Sequence, residues 1–477
     1  MTNVRTRFAP SPTGFMHVGG IRTALFAWLL ARQSNGRFVL RLEDTDKNRE
    51  VEGSGEHIIQ CLDLLGLNRD EGVDVGGEYS PYLQSERLDI YREWAQKLID
   101  TGRAYPDPYT AQEVQKFREQ AQAEKRPFLY RNHRPESAEQ ATTWDGNTPL
   151  RFKSEPKEYD WHDEVMGDLH SGPEVIDDFI LVKSDGYPTY NFAHIVDDYL
   201  MKISHVIRGQ EFLSSMPNYL NLYEALSIDH PAFATMPHIM NEQGNKKLGK
   251  RDGAKDLLGY VREGFLPETL LSFIATLGWN DGTEQEVFTR DELIEKFSLD
   301  RVQHSGARFD EKRLLWMNGQ FIRQLSADDL WDRVADFWPD TADAADHEFK
   351  QRVLSLAQDR LKTLCDLPTL TSYFFAEPEP NWQMITDNKQ LGKLDHARHI
   401  ELLGLAKTAL ETTDFSVDAL QESLNNLLEQ TGEKPGTLFS LIRFAITWAP
   451  FSPALPETME VLGREHTLER LQKAIDS

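Results

Sequence analysis

The sequence has few cysteines and no long apolar run. Its 477 residues include only two cysteines, Cys61 and Cys365, which is too few for a disulfide framework or a cysteine-rich zinc site. No run of about 18 apolar residues occurs, and the first residues lack the charged-then-apolar order of a secretion signal. These absences exclude a disulfide-rich secreted domain and predict a cytoplasmic protein that does not enter a membrane.

Positive charge is also scarce. The chain has 52 Lys and Arg residues against 77 Asp and Glu, a formal net charge of −25. An acidic surface repels the phosphates of nucleic acids, so composition alone argues against a nucleic-acid partner. Only locally basic segments can support such a partner. The length predicts about two to four domains, and a hydrophobic content of 40% is enough for packed cores.

The segment Arg5–Arg22 reads RTRFAPSPTGFMHVGGIR. The alternation from Val4 to Phe8 predicts a strand. Pro10 and Pro12 then exclude a helix and predict a turn, and a helical pattern begins at Ile21. A strand, a glycine-containing turn and a helix start together form a site for anions, because free N–H groups and the helix dipole point at it.

His17 stands in this turn just before Gly19 and Gly20. Glycines let a phosphate or a purine approach the backbone closely. A histidine there can donate hydrogen bonds to phosphoryl oxygens as charge builds in a transition state. Taken alone, a histidine near a helix start is more often a cap or a packed polar residue, so the catalytic interpretation depends on the whole segment.

A second strand is predicted at 37–43, which completes a β-α-β unit and indicates a doubly wound parallel sheet. Ligands of such sheets bind beyond the carboxyl ends of the strands, where we expect Arg7, Ser11 and Glu43. The run Asp44–Asn48 is not a calcium loop, because the glycine at loop position 6 and the glutamate at position 12 are missing.

Shorter patterns predict the remaining elements. Helices are predicted at 85–102, 110–125, 212–226, 255–263, 267–277 and 290–297, and strands at 150–152, 159–166, 179–184, 203–207 and 236–240. Beyond about 325 only amphipathic helices are predicted, with proline-rich breaks near 376–380 and 449–456.

One segment reverses the overall charge. Residues 245–255 contain five basic residues and one acid, a net charge of +4, and residues 301–313 carry a weaker net charge of +2. Residues 321–477 carry −11. A basic loop in an acidic chain indicates an anionic partner, and the alternative is a solvated basic turn.

Two of these segments match known signatures. RFAPSPTG-x-x-HVGG, from Arg7 to Gly20, resembles the first signature of class I aminoacyl-tRNA synthetases, in the form that bacterial glutamyl-tRNA synthetases carry. KLGKR, Lys247–Arg251, resembles the KMSKS signature of the same family, with Gly249 where serine is usual. The two signatures agree in order and spacing, and we expect them to face each other across one nucleotide pocket.

This resemblance covers nearly all of the chain and implies an α/β fold. The implied architecture is a Rossmann-like doubly wound parallel sheet with a mixed α+β insertion, followed by an all-α C-terminal region. The implied domains are a catalytic domain at 1–75 and 190–240, an inserted acceptor-end-binding domain at 76–189, a KMSKS-loop and stem-contact domain at 241–324, and an anticodon-binding region at 325–477 with a subdomain boundary near 376–395.

The resemblance also implies roles for single residues. The catalytic group would be His17, Gly19, Gly20, Lys247, Lys250 and Arg251. The glutamate-binding group would be Arg7, Ala9, Ser11, Glu43, Tyr190, His194 and Arg208. The ATP-binding group would be Pro10, Thr13, Gly14, His17, Gly20, Glu211 and Lys250.

The implied reaction is ATP-dependent ligation of L-glutamate to tRNA(Glu) through a glutamyl-adenylate, with transfer to the 2′-OH of the terminal adenosine. ATP with Mg²⁺ and a monomeric state are expected. The sequence departs from many relatives at 104–110, where prolines and Asp107 replace zinc cysteines, so no zinc is expected. His194 replaces an asparagine that some relatives carry near the substrate.

Two rival functions are considered. A tRNA-free adenylyl transferase of the same superfamily would not need the helical tail of about 150 residues. A non-catalytic tRNA-binding paralogue would be expected to have lost His17 or Lys250, and both are present. The sequence does not decide whether tRNA(Gln) is also charged or which anticodon bases are read.

Overall fold

The computed structural model describes residues 4–139, 143–249 and 255–477. These residues form two compact units, one up to Tyr260 together with Leu270–Glu311, the other Val261–Thr269 together with Lys312–Ser477. The four-domain division stays a prediction. Lys250 and Arg251 of the second signature lie outside the described residues.

The strands and helices of the described residues are numbered in chain order. The strands are β1 Arg5–Phe8, β2 Arg37–Leu40, β3 Glu71–Gly72, β4 Ala104–Pro106, β5 Leu150–Phe152, β6 Tyr159–Asp163, β7 Gly167–Ser171, β8 Ile180–Val182, β9 His205–Gly209, β10 Ala232–Met236, β11 Ile239–Met240 and β12 Ala307–Arg308. The helices of the first unit and of its borders with the second are α1 Val18–Gln33, α2 Ser54–Leu64, α3 Leu88–Asp100, α4 Ala111–Ala123, α5 Tyr190–Leu200, α6 Met216–Ala225, α7 Leu257–Arg262, α8 Pro267–Ala275, α9 Arg290–Lys296 and α10 Glu311–Gln324. The helices that follow are α11 Ala327–Arg333, α12 His347–Gln358, α13 Leu367–Phe375, α14 Trp382–Thr386, α15 His396–Glu411, α16 Val417–Thr431, α17 Pro435–Thr447, α18 Leu455–Leu462 and α19 Arg464–Asp476.

The first unit is built on one large sheet. Among the described residues its strand order is β3-β2-β1-β9-β10-β6-β7. All neighbouring pairs are parallel except the β6–β7 hairpin. The order of the first five strands corresponds to 3-2-1-4-5 of the Rossmann fold: the chain leaves β1 in one direction and later resumes on its other side at β9. The predicted α/β class with a parallel sheet is confirmed.

Strand β1 is buried along its whole length. The alternation of polar and apolar residues is typical of a strand with one face in water, yet all four residues are buried. Strands of a parallel sheet are covered on both faces by crossover helices. The two arginines of β1 are accommodated by buried carboxylates, Arg5 by Glu71 and Arg7 by Asp198.

Prolines explain two differences from the predicted elements. The predicted strand 236–240 is two strands, because Pro237 follows β10 and lacks the N–H that a ladder requires. The predicted helix 212–226 begins as a 3₁₀ turn over Gln210–Ser215 and becomes α-helical at Met216. Pro217 lies in the first helical turn, where its missing N–H costs no hydrogen bond.

The segment predicted as an insertion contributes to two sheets. Strands β4, β5 and β8 form a small antiparallel sheet, whereas β6 pairs with β10 and brings its hairpin into the large sheet. Helix α4 begins at the predicted cap, since the Thr110 hydroxyl accepts from Glu113 N–H and the Glu113 carboxylate accepts from Thr110 N–H.

The second unit is helical in its described residues, as the sequence predicts. Its main core cluster contains side chains from Val353 to Ala474, on both sides of the break at 376–395. The predicted subdomain boundary at that break stays a prediction. In the described part of either unit, no helix is both long and apolar enough to cross a membrane.

Candidate active site

A cavity of about 380 Å³ opens at the carboxyl ends of β1 and β9. This is the point at which the strand order reverses, where open α/β sheets bind their ligands. Residues of the first signature and Lys247–Gly249 of the second line the same cavity. The described parts of the two signatures, more than 220 positions apart in the chain, therefore share one site.

Most of the residues predicted from the sequence line this cavity. They are Arg7, Ala9, Pro10, Ser11, His17, Gly19, Gly20, Tyr190, Arg208, Glu211 and Lys247. Four predicted residues, Thr13, Gly14, Glu43 and His194, are not in its lining. Lys250 and Arg251 belong to the part of the chain that is not described.

The first signature forms the floor of the cavity at the start of α1. His17 is the N-cap residue, and its carbonyl accepts from Ile21 N–H at 3.2 Å. Its side chain makes no capping hydrogen bond. A Cβ added at Gly19 would lie 3.4 Å from His17 Cε1, so the glycine lets the imidazole lie against the helix start. The helix begins three residues earlier than predicted, which puts both glycines in its first turn.

A buried charge network supports Arg7. Arg7 Nε donates to Asp198 Oδ1 at 3.1 Å, and Arg41 Nη1 donates to the same oxygen at 2.8 Å. Burial by itself raises the pKa of Asp198, but Arg7 and Arg41 outweigh it and lower the value to about 2. Asp198 therefore stays ionised and fixes the orientation of the Arg7 side chain from behind the cavity.

Glu43 belongs to the same network. Its Oε1 accepts from Arg41 Nη2 at 2.8 Å, and no partner for Oε2 is found among the described residues. Burial raises the pKa of Glu43 to about 7, although Arg41 opposes the shift. The structure places Glu43 next to the lining but not in it, joined to the signature turn by its N–H, which donates to Pro10 O at 3.0 Å.

Arg208 has no comparable support. It is the last of the three buried residues of β9 and is 4% exposed. Its Nε and Nη1 find no hydrogen-bond partner in the described residues, and Nη2 contacts Sδ of Met216. The guanidinium lies about 5 Å from the ring centres of Tyr219 and Phe233. Burial lowers the pKa of Arg208, and such a charge is costly until an anion pairs with it.

Tyr190 forms the aromatic wall of the cavity, and His194 supports it from behind. The ring of Tyr190 stacks on Phe212 at 5.1 Å and on His194 at 4.7 Å. His194 is buried, and its Nδ1 is 2.7 Å from Tyr190 O, one helical turn earlier. Burial lowers the pKa of His194 to about 3, so the ring is neutral at ordinary pH. The ring thus packs against Tyr190, and the contact of His194 with substrate stays a prediction.

The opposite wall carries further charges. Lys247 Nζ is 3.3 Å from Glu211 Oε1. Arg22, which the sequence reasoning missed, is buried in the lining and donates to the carbonyl oxygens of Leu277 and Pro237. Burial lowers the pKa of Arg22 to about 10. The only indication of this role in the sequence was that Arg22 is a charged residue within the apolar pattern of α1.

The predicted insertion has an ion pair at the position where zinc cysteines were considered. Arg151 Nη2 donates to Asp107 Oδ2 at 2.7 Å, and the Tyr130 hydroxyl contacts the other oxygen of Asp107. The described residues contain no group of three or more His, Cys, Asp or Glu side chains that is arranged to hold a metal ion. The absence of zinc stays a prediction.

The cavity thus offers a helix N-terminus, the cationic side chains of Arg22, Arg208 and Lys247, and an oriented Arg7. Such a set suits a ligand with several negative charges that lies close to backbone N–H groups. Together with the Rossmann-type sheet, it defines a nucleotide-dependent enzyme of the α/β class.

Comparison with known families agrees with this class. Residues 3–316 match the family described as "tRNA synthetases class I (E and Q), catalytic domain", and residues 329–475 match "Anticodon binding domain". The chain belongs to the class I tRNA synthetases, an enzyme family of ATP-dependent ligases that attach amino acids to tRNA for protein synthesis.

Individual relatives cover the whole chain. A protein of Moorella thermoacetica named "Glutamate--tRNA ligase" is 40% identical over 99% of this chain and 98% of its own length. A protein of the same name from Clostridium botulinum is 40% identical over 100% and 99%. A solved glutamate tRNA ligase of Elizabethkingia meningosepticum, described as in complex with its amino acid, is 34% identical, with a TM-score of 0.86 over 100% of this chain and 99% of that one.

Proposed function

We propose that this protein ligates L-glutamate to tRNA(Glu), using ATP and passing through an enzyme-bound glutamyl-adenylate. The observation that carries the proposal is the buried guanidinium of Arg208, which lines the cavity and lacks a hydrogen-bond partner on Nε and Nη1 among the described residues. A substrate with a carboxylate side chain supplies the missing partner. The full-length relatives named glutamate–tRNA ligases support the same choice.

The γ-carboxylate of glutamate binds between Arg208 and Arg7, with Tyr190 closing the site. An arginine fork pairs with a carboxylate through two parallel hydrogen bonds and rejects an amide, which cannot accept on both atoms. Ala9 and Ser11 line the part of the cavity next to Arg7, where the α-amino group lies, and Glu43 supplies negative charge behind it. His194 acts through the ring of Tyr190.

The adenylation step needs positioning and positive charge rather than covalent help. An oxygen of the α-carboxylate forms a bond to the α-phosphorus of ATP, and the bond from that phosphorus to the β-phosphate oxygen breaks to release pyrophosphate. His17 and the N–H groups at Gly19 and Gly20 stabilise the charge on the phosphoryl oxygens. Lys247 and Lys250 bind the phosphates from the opposite side, and Pro10, Thr13, Gly14 and Glu211 complete the nucleotide site.

Mg²⁺ accompanies ATP in this proposal. The cavity wall carries one carboxylate, Glu211, and that group is 3.3 Å from Lys247 Nζ. Such a donor set fits an ion that is held by the nucleotide phosphates and water, since Mg²⁺ keeps most of its waters and takes only one or two protein carboxylates. Mg²⁺ supplies charge neutralisation of the leaving pyrophosphate.

The transfer step joins glutamate to tRNA. The 2′-OH of the terminal adenosine forms a bond to the activated carbonyl carbon, and the bond from that carbon to the phosphate oxygen breaks to release AMP. The insertion receives the acceptor end, and the helical region reads the anticodon. A monomeric state, a cytoplasmic location and a requirement of adenylation for bound tRNA remain part of the proposal.

Pyrophosphate exchange tests the proposal directly. The reaction is measured with glutamate and, separately, with glutamine, each with and without tRNA(Glu). We expect exchange with glutamate in the presence of tRNA and none with glutamine. Exchange that ignores tRNA favours a tRNA-free adenylyl transferase, and no exchange under any condition favours a non-catalytic tRNA-binding protein. Charging of tRNA(Gln) is measured separately, by the attachment of labelled glutamate to that tRNA.

A further inference from the structure

A buried histidine outside the cavity lining holds the turn that carries His17. His57 lies on α2 and is 8% exposed. The backbone N–H of Met16, one residue before His17, donates to Nδ1 of His57 at 3.3 Å. Sγ of Cys61, one turn further along α2, is 3.6 Å from the same nitrogen. The side chain therefore contacts the signature turn without lining the cavity.

The other ring nitrogen contacts a carboxylate. Nε2 of His57 is 3.5 Å from Oδ1 of Asp256. Asp256 pairs with His17 in an antiparallel backbone bridge, and Leu257 N–H donates to Met16 O at 3.3 Å. Asp256 Oδ1 also accepts from Gly259 N–H at 2.9 Å, at the start of α7. His57 thus links the signature turn to the segment that follows the second signature.

These contacts define one protonation state of the ring. The Met16 amide can only donate, so Nδ1 accepts from it. Burial raises the pKa of Cys61 to about 12, so its thiol keeps its proton and can donate to the same nitrogen. Nδ1 is then the nitrogen that accepts, which leaves the proton of a neutral ring on Nε2, the nitrogen 3.5 Å from Asp256 Oδ1. An imidazolium would set its Nδ1–H against two donors and release the Met16 peptide.

We infer that His57 is a positioning residue for adenylation: as the neutral Nε2–H tautomer it holds the Met16 peptide, and through it the imidazole of His17, in place against the phosphates. This inference rests on the proposed function, because its test measures the rate of glutamate activation. A misplacement of about 1 Å at a catalytic group lowers the rate of chemistry about 10²-fold.

Two substitutions separate the two ring nitrogens. His57→Asn puts an amide oxygen near the position of Nδ1, where it can still accept from Met16 N–H. His57→Gln puts its amide near the position of Nε2, beside Asp256, and leaves the Met16 N–H without an acceptor. Both variants remove the ring, and neither side chain titrates. We expect His57→Asn to keep kcat of tRNA-dependent exchange within about threefold, and His57→Gln to lower it about 10- to 100-fold with KM for ATP and glutamate nearly unchanged.

Thermal unfolding of both variants is the control for packing. Equal losses of kcat in the two variants, or losses that follow Tm, overturn the inference and leave His57 a packing residue. The tautomer is tested separately, without any substrate, by the ¹⁵N chemical shifts of the His57 ring at about pH 7.5. A protonated Nδ1 overturns the inference whatever the activity. An inactive wild-type enzyme with an unprotonated Nδ1 contradicts the proposed function instead.

Discussion

Arg7 and Arg208 lie in the wall of one cavity, but in the described part of the chain only Arg7 has a carboxylate partner. Arg7 Nε donates to Asp198 at 3.1 Å, whereas Nε and Nη1 of Arg208 find no partner in the described residues. The first charge is stabilised by the folded chain, and the second is left for a ligand. The same chemical substitution at the two positions should therefore have opposite effects on stability.

Arg208→Met should stabilise the protein while it abolishes glutamate activation. Methionine fills a similar volume without a buried unpaired charge, so Tm should rise by about 2 °C. Loss of the charge-assisted pairs to the substrate should lower kcat/KM for glutamate by at least about 10²-fold. Arg7→Met is the matched control, and it should lower stability by about 3 kcal/mol because Asp198 loses a partner. A fall in Tm for both variants would contradict this interpretation.

Lys250→Ala should affect the chemistry of adenylation and not the binding of tRNA. We expect pyrophosphate exchange to fall about 10²- to 10³-fold, because one cationic contact to the transition state is lost. Binding of tRNA, measured by filter retention, should change less than about threefold, since one charge among many phosphate contacts is removed. Lys255→Ala, in the same basic segment but not in the cavity lining, is the control. An unchanged exchange rate would remove Lys250 from the mechanism.

His194→Asn should reduce the loss of stability at acid pH. Burial lowers the pKa of His194 to about 3 in the folded protein, whereas the pKa of an unfolded histidine is about 6.5. Between about pH 6.5 and about pH 3, therefore, the unfolded chain binds a proton at His194 and the folded chain does not. The contribution of the neutral ring to the free energy of unfolding is therefore fully present above about pH 6.5 and decreases as the pH falls below that value. At pH 5 this loss is about 2 kcal/mol, and asparagine does not share it. Urea unfolding of both proteins at pH 8 and pH 5 measures the difference, and parallel curves would contradict the pKa shift.

Removal of metal ions should distinguish Mg²⁺, which is expected to accompany ATP, from zinc, which is not expected. Dialysis against a chelator should abolish pyrophosphate exchange, since ATP then lacks Mg²⁺, and added Mg²⁺ should restore it. Tm should not change, because the ion pair of Asp107 with Arg151 joins the strands of the small sheet without a metal. Zinc close to one atom per chain by mass spectrometry, together with a drop in Tm on chelation, would contradict the prediction.

Local patterns were enough for the elements around the site. The alternation before Pro10 predicted β1, and the apolar period after Gly20 predicted α1, because both depend on neighbours only a few residues away. The parallel pairing of β1 and β2 followed from the β-α-β order. Boundaries failed where a proline acted on the backbone in a way that the hydrophobic pattern does not reveal, as at Pro217 and Pro237.

Sequence also indicated which residues would line the cavity, but not what each would contact there. His194 was predicted to bind substrate; the structure shows its ring stacked on Tyr190 and outside the cavity lining, and the substrate contact stays a prediction. Arg22 was counted as part of a helix and lies in the cavity wall. The burial of these side chains and the groups they contact depend on strands and helices that are distant in the chain, so no local sequence pattern predicts them.

The sequence by itself determined the parallel α/β sheet, the helical tail and the two signatures that meet at the cavity, because periodicity, prolines and glycines act locally. Only the tertiary structure decided which arginine is paired and which is left with unpaired nitrogens. That difference depends on Asp198, which approaches Arg7 from a helix about 190 residues later in the chain and has no counterpart beside Arg208 among the residues that the structure describes.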